Sequence, residues 1–267
     1  MSSSTIQVTD SSDLSGQSTS RLVLQMARRD IATLFRTPWI IISRSLAFII
    51  QLFVFAYLIS GLVVKFPGFF PYYAVGSVVS VVASISFIIG YDIFEEAEEG
   101  LLDYLLTLPI PRREFIIGRA LGGAVRAMIY TIPMFAIVAV LEYFSNSLSL
   151  MAAILDLFLL AFGVTGLSIT VTVSVRSANR FDVVLALLEL AVSRASTALY
   201  PLAFMPSYVA ALAPFSPVTF AADSTRAALS GSSLDILGLA GLLAFVAIFL
   251  GLGATFYFRR LEGGVYA

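Results

Sequence analysis

The chain has 267 residues, 59% of them hydrophobic and only 12% charged, with a formal net charge of −1 and no cysteine or histidine. Ordinary soluble domains carry about 25% charged residues, so this composition and a mean hydropathy of +0.95 predict an integral membrane protein. Disulfides, zinc sites, thiol nucleophiles and histidine acid–base catalysis are excluded, and no basic patch suggests nucleic acid.

Residues 1–20 are rich in Ser and Thr, with Asp10 and Asp13. They lack a basic n-region and an apolar core, which predicts a disordered cytoplasmic tail and not a signal peptide. In residues 21–36, Val23, Met26, Ala27, Ile31, Leu34 and Phe35 share one helical face, while Arg28, Arg29 and Asp30 lie elsewhere. That pattern predicts an interfacial helix; the blander reading is a simple positive flank. The first span is predicted over 39–64, longer than the ~20 apolar residues a bilayer needs. Arg44 near its inner end can snorkel to the headgroups. A turn at Pro67 and Gly68 leads to a second span over 72–94.

The densest charge in the chain follows, at 95–119. Phe94, Ala97, Leu101, Leu105 and Leu108 recur at helical steps, and Glu95, Glu99 and Asp103 form a second row. This predicts a short amphipathic helix stopped by Pro109-Ile110-Pro111, because the residue before a proline avoids the helical region. Arg112 and Arg113 follow at once. Such a charged elbow between spans is expected to dock on something, or else to be a solvated face.

The third span is predicted over 120–141, with Arg126 near its inner end and Pro133 as a kink. The fourth covers 148–175. Its end alternates hydroxyl and branched residues, but a lone strand would leave backbone groups unpaired in lipid, so a helix with an irregular end is expected. The fifth span is predicted over 183–204. Ser216-Pro217 reads as an N-cap and first helical position, opening a short helix to about Leu229 that Gly231 ends. The sixth span covers 234–258. Lys65 and Arg226 fall on one side and the many other basic flanks on the opposite one, so both termini are expected in the cytoplasm.

No P-loop, H-E-x-x-H or G-x-S-x-G sequence occurs. Tyr91-Asp92 resembles half of an intramembrane aspartyl protease motif, but Gly251-Leu252-Gly253 is followed by Ala254, so the second aspartate is missing. Glu189 and Arg194 lie within the fifth predicted span, where each costs roughly 2.5–3.5 kcal/mol at the centre. They are expected to face protein or water, lining a path at a subunit interface or holding helices together. Asp156 has the same two readings, with solvation at the outer end favoured.

Glu99-Gly100, Leu105-Leu106-Thr107-Leu108-Pro109, Arg112-Arg113-Glu114 and Gly118-Arg119 together resemble the segment between spans two and three of ABC type-2 permeases. Tyr200-Pro201-Leu202, Pro206, Pro214, Pro217, Thr219, Asp223 and Arg226 resemble that family's external segment, and Arg36-Thr37-Pro38 its entry to the first span. Leu101 stands where the family usually has Thr, and Ile110-Pro111 where a small polar pair is common.

The resemblance implies an all-α membrane protein: one permease domain over 21–267, with six transmembrane helices, an N-terminal interfacial helix, a cytoplasmic coupling helix, and short external helices between spans five and six. It implies an exporter subunit in a cell membrane, with Glu95, Glu99, Gly100, Asp103, Leu108, Pro109, Arg112 and Arg113 coupling to a separate cytoplasmic ABC ATPase. A second permease, identical or sister, and membrane lipids would complete the assembly. ATP and Mg would bind the ATPase and not this chain, which would itself be no enzyme. The alternatives are an exporter of a lipid-linked or polysaccharide substrate, and a non-transporting scaffold or regulatory subunit. Short loops and a lone permease suggest a prokaryotic source.

Overall fold

A computed structural model describes residues 38–62, 68–100, 112–141, 147–175, 177–231 and 235–263, together with Val23, Leu24, Gln25, Ala27, Arg28, Ile31, Ala32 and Phe35. The predicted tail over 1–20 lies outside the described residues. Those described between 23 and 35 are helical. Ala27 is buried and Arg28 exposed, as the amphipathic pattern requires, but Phe35 is exposed as well.

The remaining helices are α1 (Pro38–Leu62), α2 (Phe69–Glu98), α3 (Arg112–Leu141), α4 (Ser147–Ser174), α5 (Ala178–Glu189), α6 (Ser207–Ala210), α7 (Pro217–Leu229) and α8 (Ile236–Gly263). Five of them, α1, α2, α3, α4 and α8, are long and apolar enough to cross a membrane. No strand occurs among the described residues.

The central post is α4, which packs against α2, α3, α7 and α8. Its hydroxyl-rich end is helical, as expected, and regular up to Ser174. Thr170 and Ser174 donate back to Gly166 O and Thr170 O at 2.8 and 2.7 Å, the local bond that branched hydroxyls offer a helix. The same residues also reach sideways. Ser168 donates to Phe87 O of α2 at 3.1 Å and Thr170 to Phe249 O of α8 at 3.0 Å. In lipid, where apolar contact gives helices no special attraction to each other, such bonds hold a bundle together. By contrast α1 packs chiefly against α2 and α3, and most of its apolar side chains face outward.

The predicted fifth span is not one helix. After α5 the chain makes a π turn at Leu190–Arg194 and then leaves helical geometry. Polar residues at this point find partners elsewhere. Ser196 Oγ donates to Ser193 O at 2.7 Å, and Ser216 Oγ donates to Val192 O at 2.6 Å while accepting from Val218 N at 3.2 Å. Ser216 thus closes the π turn and caps α7 at once. Pro217 occupies the first position of α7, and Gly231, at φ +72°, ends it, both as predicted.

Candidate functional site

The elbow between α2 and α3 is the first site. The predicted helix through Leu108 is interrupted. The α2 helix runs on through the membrane to Glu98, Glu99 N bonds Glu95 O at 3.0 Å, and Gly100 adopts φ +75°. That left-handed geometry ends a helix and favours glycine. The expected apolar stripe is therefore divided: Phe94 belongs to the membrane helix, where its ring stacks on Phe181 of α5 at 4.2 Å. Glu95, Glu99 and Gly100 are exposed. Asp103, Leu108 and Pro109 lie outside the described residues. Arg112 and Arg113 open α3, and their side chains lie outside the description too.

Two ion pairs stand at the foot of this elbow. Arg119 Nη2 lies 2.8 Å from Glu96 Oε2, with the arginine side chain 6% exposed. Deeper in the bundle Arg126 pairs with Asp92. The helices are antiparallel, so the acids four apart on α2 meet bases seven apart on α3 as two rungs of a ladder. Neither pairing was anticipated from sequence. The signal was present, since two acids at the inner end of one span faced two bases at the inner end of the next. Asp92, singled out above for proteolysis, is held by an arginine instead, and Tyr91 packs edge-on against Phe181 at 5.2 Å.

The second site lies in the segment between α5 and α8. Arg226 Nη1 donates to Asp223 Oδ1 at 3.0 Å, and Nη2 donates to Tyr72 O at 3.2 Å, Thr197 O at 3.3 Å and Ala198 O. The guanidinium also lies 3.6 Å above the Tyr72 ring. Tyr72 OH donates to Thr197 O at 2.6 Å, and Thr197 Oγ1 donates to Asp223 Oδ1 at 3.0 Å. Burial pushes the Arg226 guanidinium below its ordinary value, and the Tyr72 and Asp223 charges pull it back up. At Gly76 the turn passes so close to α2 that an added Cβ would sit 1.6 Å from Ala198 O. Three separated segments, the start of α2, the 195–200 turn and α7, are therefore fastened by one arginine. Of the predicted external prolines, Pro201 precedes a 3-10 turn at Leu202–Phe204, Pro206 precedes α6 and Pro217 opens α7.

The intramembrane charges separate. Asp156 is 3% exposed and not solvated at an outer end as favoured above. Ser224 Oγ of α7 donates to its Oδ2 at 2.6 Å. The segment carrying α7 thus folds back into the bundle, reaching a residue nine positions, roughly 13 Å, along α4. Glu189 is half-buried at the end of α5, and Arg194, exposed, ends the π turn. The two form no ion pair with each other; Arg194 instead lines a polar cavity beside α1 and α2. Among the described residues no group of three or more Asp or Glu side chains could hold a metal ion.

These features define a multi-pass helical membrane protein, with charge concentrated at one elbow and a folded-back segment between α5 and α8. Residues 21–230 match the family model described as ABC-2 type transporter. The match covers most of the chain, and the chain belongs to this family; it is an ABC transporter permease. No curated protein matches it.

Proposed function

We propose that this chain is the membrane subunit of an exporter, moving substrate outward with ATP hydrolysed by a separate ATPase that docks on residues 95–113. The observation that carries the reading is the pair of ion-paired rungs, Glu96–Arg119 and Asp92–Arg126, directly at the foot of the elbow. Charged pairs inside a membrane bundle cost desolvation and are retained where geometry or function requires them. Here they join α2 and α3 so that a push on the elbow moves both helices as one body.

In this account ATP closes the ATPase dimer beneath two paired permeases, identical or sister chains. The elbow rises, α2 and α3 tilt together, and a path between the permeases opens outward. Both termini and the elbow face the cytoplasm, as the distribution of basic residues supports. Pro109 stiffens the elbow and Arg112 contributes to the docking surface. In a reconstituted assembly, Pro109→Ala and Arg112→Glu each lower transport-coupled ATP turnover. Unchanged turnover in both variants would remove the elbow as the transmission point.

A further inference from the structure

Between α1, α2 and the π turn lies a cavity of about 200 Å³. Its polar lining is Gln51, Tyr73, Ser77, Ser80, Ser84, Ser193 and Arg194, and among the described residues no carboxylate lines it. Ser77, Ser80 and Ser84 come from one face of α2 at steps of three and four. Ser80 stands eleven residues, roughly 16 Å, into α2.

Two features of this lining are unusual for a helix bundle. Hydroxyls in membrane helices ordinarily bond back to a carbonyl of the preceding turn, as Ser86 does to Val82 O at 2.7 Å. Ser80 Oγ and Ser193 Oγ are buried and have no partner, and Ser193 is 4% exposed. Arg194, itself exposed, makes no ion pair among the described residues, so its positive charge stands at the edge of a cavity lined by hydroxyls and no described carboxylate. Water can fill the cavity, but it supplies no counter-charge to Arg194. An anionic group matches both the charge and the donors.

The surroundings identify what carries the anion. Gln51, Val54 and Leu58 lie on one stripe of α1 at steps of three and four. One to two turns beyond Gln51, a shallow hollow of about 350 Å³ is lined by Phe53, Val54, Tyr57 and Leu58. Its exposed surface is apolar. We infer that the cavity and hollow together bind an anionic single-chain amphiphile, with its phosphate or carboxylate head on Arg194 and the serines and its chain along α1. This rests on the permease reading and gives it a substrate class.

The test is equilibrium binding of radiolabelled dodecyl phosphate to the purified full-length chain in maltoside detergent. The competitors are dodecanol, dodecyltrimethylammonium and inorganic phosphate. Saturable binding is expected, displaced by neither dodecanol nor the cation and displaced only weakly by inorganic phosphate. Arg194→Gln weakens it at least tenfold, Arg194→Lys only a few-fold, and Ser80→Ala about threefold. Equal competition by dodecyltrimethylammonium, or unchanged binding in Arg194→Gln, would overturn the assignment. Inorganic phosphate competing as well as dodecyl phosphate would overturn the amphiphile part, leaving a free-anion site. If Arg194→Gln does not fold, Ser80→Ala and the competition on the natural chain decide. No ATPase is needed, so the two readings fail separately. An ATPase partner without selective binding sinks the cavity alone, and selective binding without an ATPase partner sinks the exporter alone.

Discussion

Arg119 of α3 donates a hydrogen bond of 2.8 Å to Glu96 of α2, across a gap of 23 positions in the chain. The contact fastens α2 to α3 near the ends that lead into the elbow. Removing one partner of a buried pair leaves an uncompensated charge and costs about 3–5 kcal/mol. Arg119→Gln or Glu96→Gln is therefore expected to lower the melting temperature in detergent clearly. The exchange Glu96→Arg with Arg119→Glu restores more than half of the loss. If the exchange is no better than the single changes, the pair is not the source of the effect.

Arg226 reaches one carboxylate and three backbone carbonyls through a planar fork. Lysine keeps the charge but cannot reproduce that geometry. Arg226→Lys is expected to destabilise the external segment by about 2–3 kcal/mol, the value of charged hydrogen bonds lost. Limited proteolysis should then cut within 195–215 at lower protease concentration. An unchanged cleavage pattern would contradict the fastening role.

Asp156 and Ser224 separate charge from hydrogen bonding. Asp156→Asn keeps an oxygen for the Ser224 hydroxyl and removes the intramembrane charge, so stability is expected to be equal or higher. Asp156→Ala leaves Ser224 Oγ buried without its acceptor and costs about 1–3 kcal/mol. Thermal unfolding of the two variants side by side checks this. Equal losses in both would mean that the charge itself is needed.

Much of this architecture was legible because the bilayer imposes simple rules. Hydropathy located the five long helices, and the N-cap Ser216, the Pro217 start and the Gly231 stop placed α7 closely. The hydroxyl run at 167–175 was resolved correctly as helix by the need to pair backbone groups in lipid. The start of the elbow was misread because the apolar repeat continues across Gly100, and periodicity does not register a left-handed residue. The fifth span was misread because hydropathy averages over Ser193, Arg194, Ser196 and Thr197, and Thr197 finds its partners in Thr219 and Asp223 of α7. Asp156 was misplaced for the same reason, as its partner lies 68 positions away. Sequence patterns report local faces well, while polar pairings between distant helices depend on the fold itself.

The central claim is that a separate ATPase docks on the elbow. The direct measurement is a gentle-detergent pull-down of the full-length protein from its native membrane, followed by an assay of the eluate for ATP hydrolysis. The account predicts a co-purifying P-loop ATPase, lost when Glu99 and Arg112 are both reversed in charge while the chain still folds. Elution of this chain alone, without ATPase activity at any detergent strength, would contradict it and favour a scaffold built on the same fold.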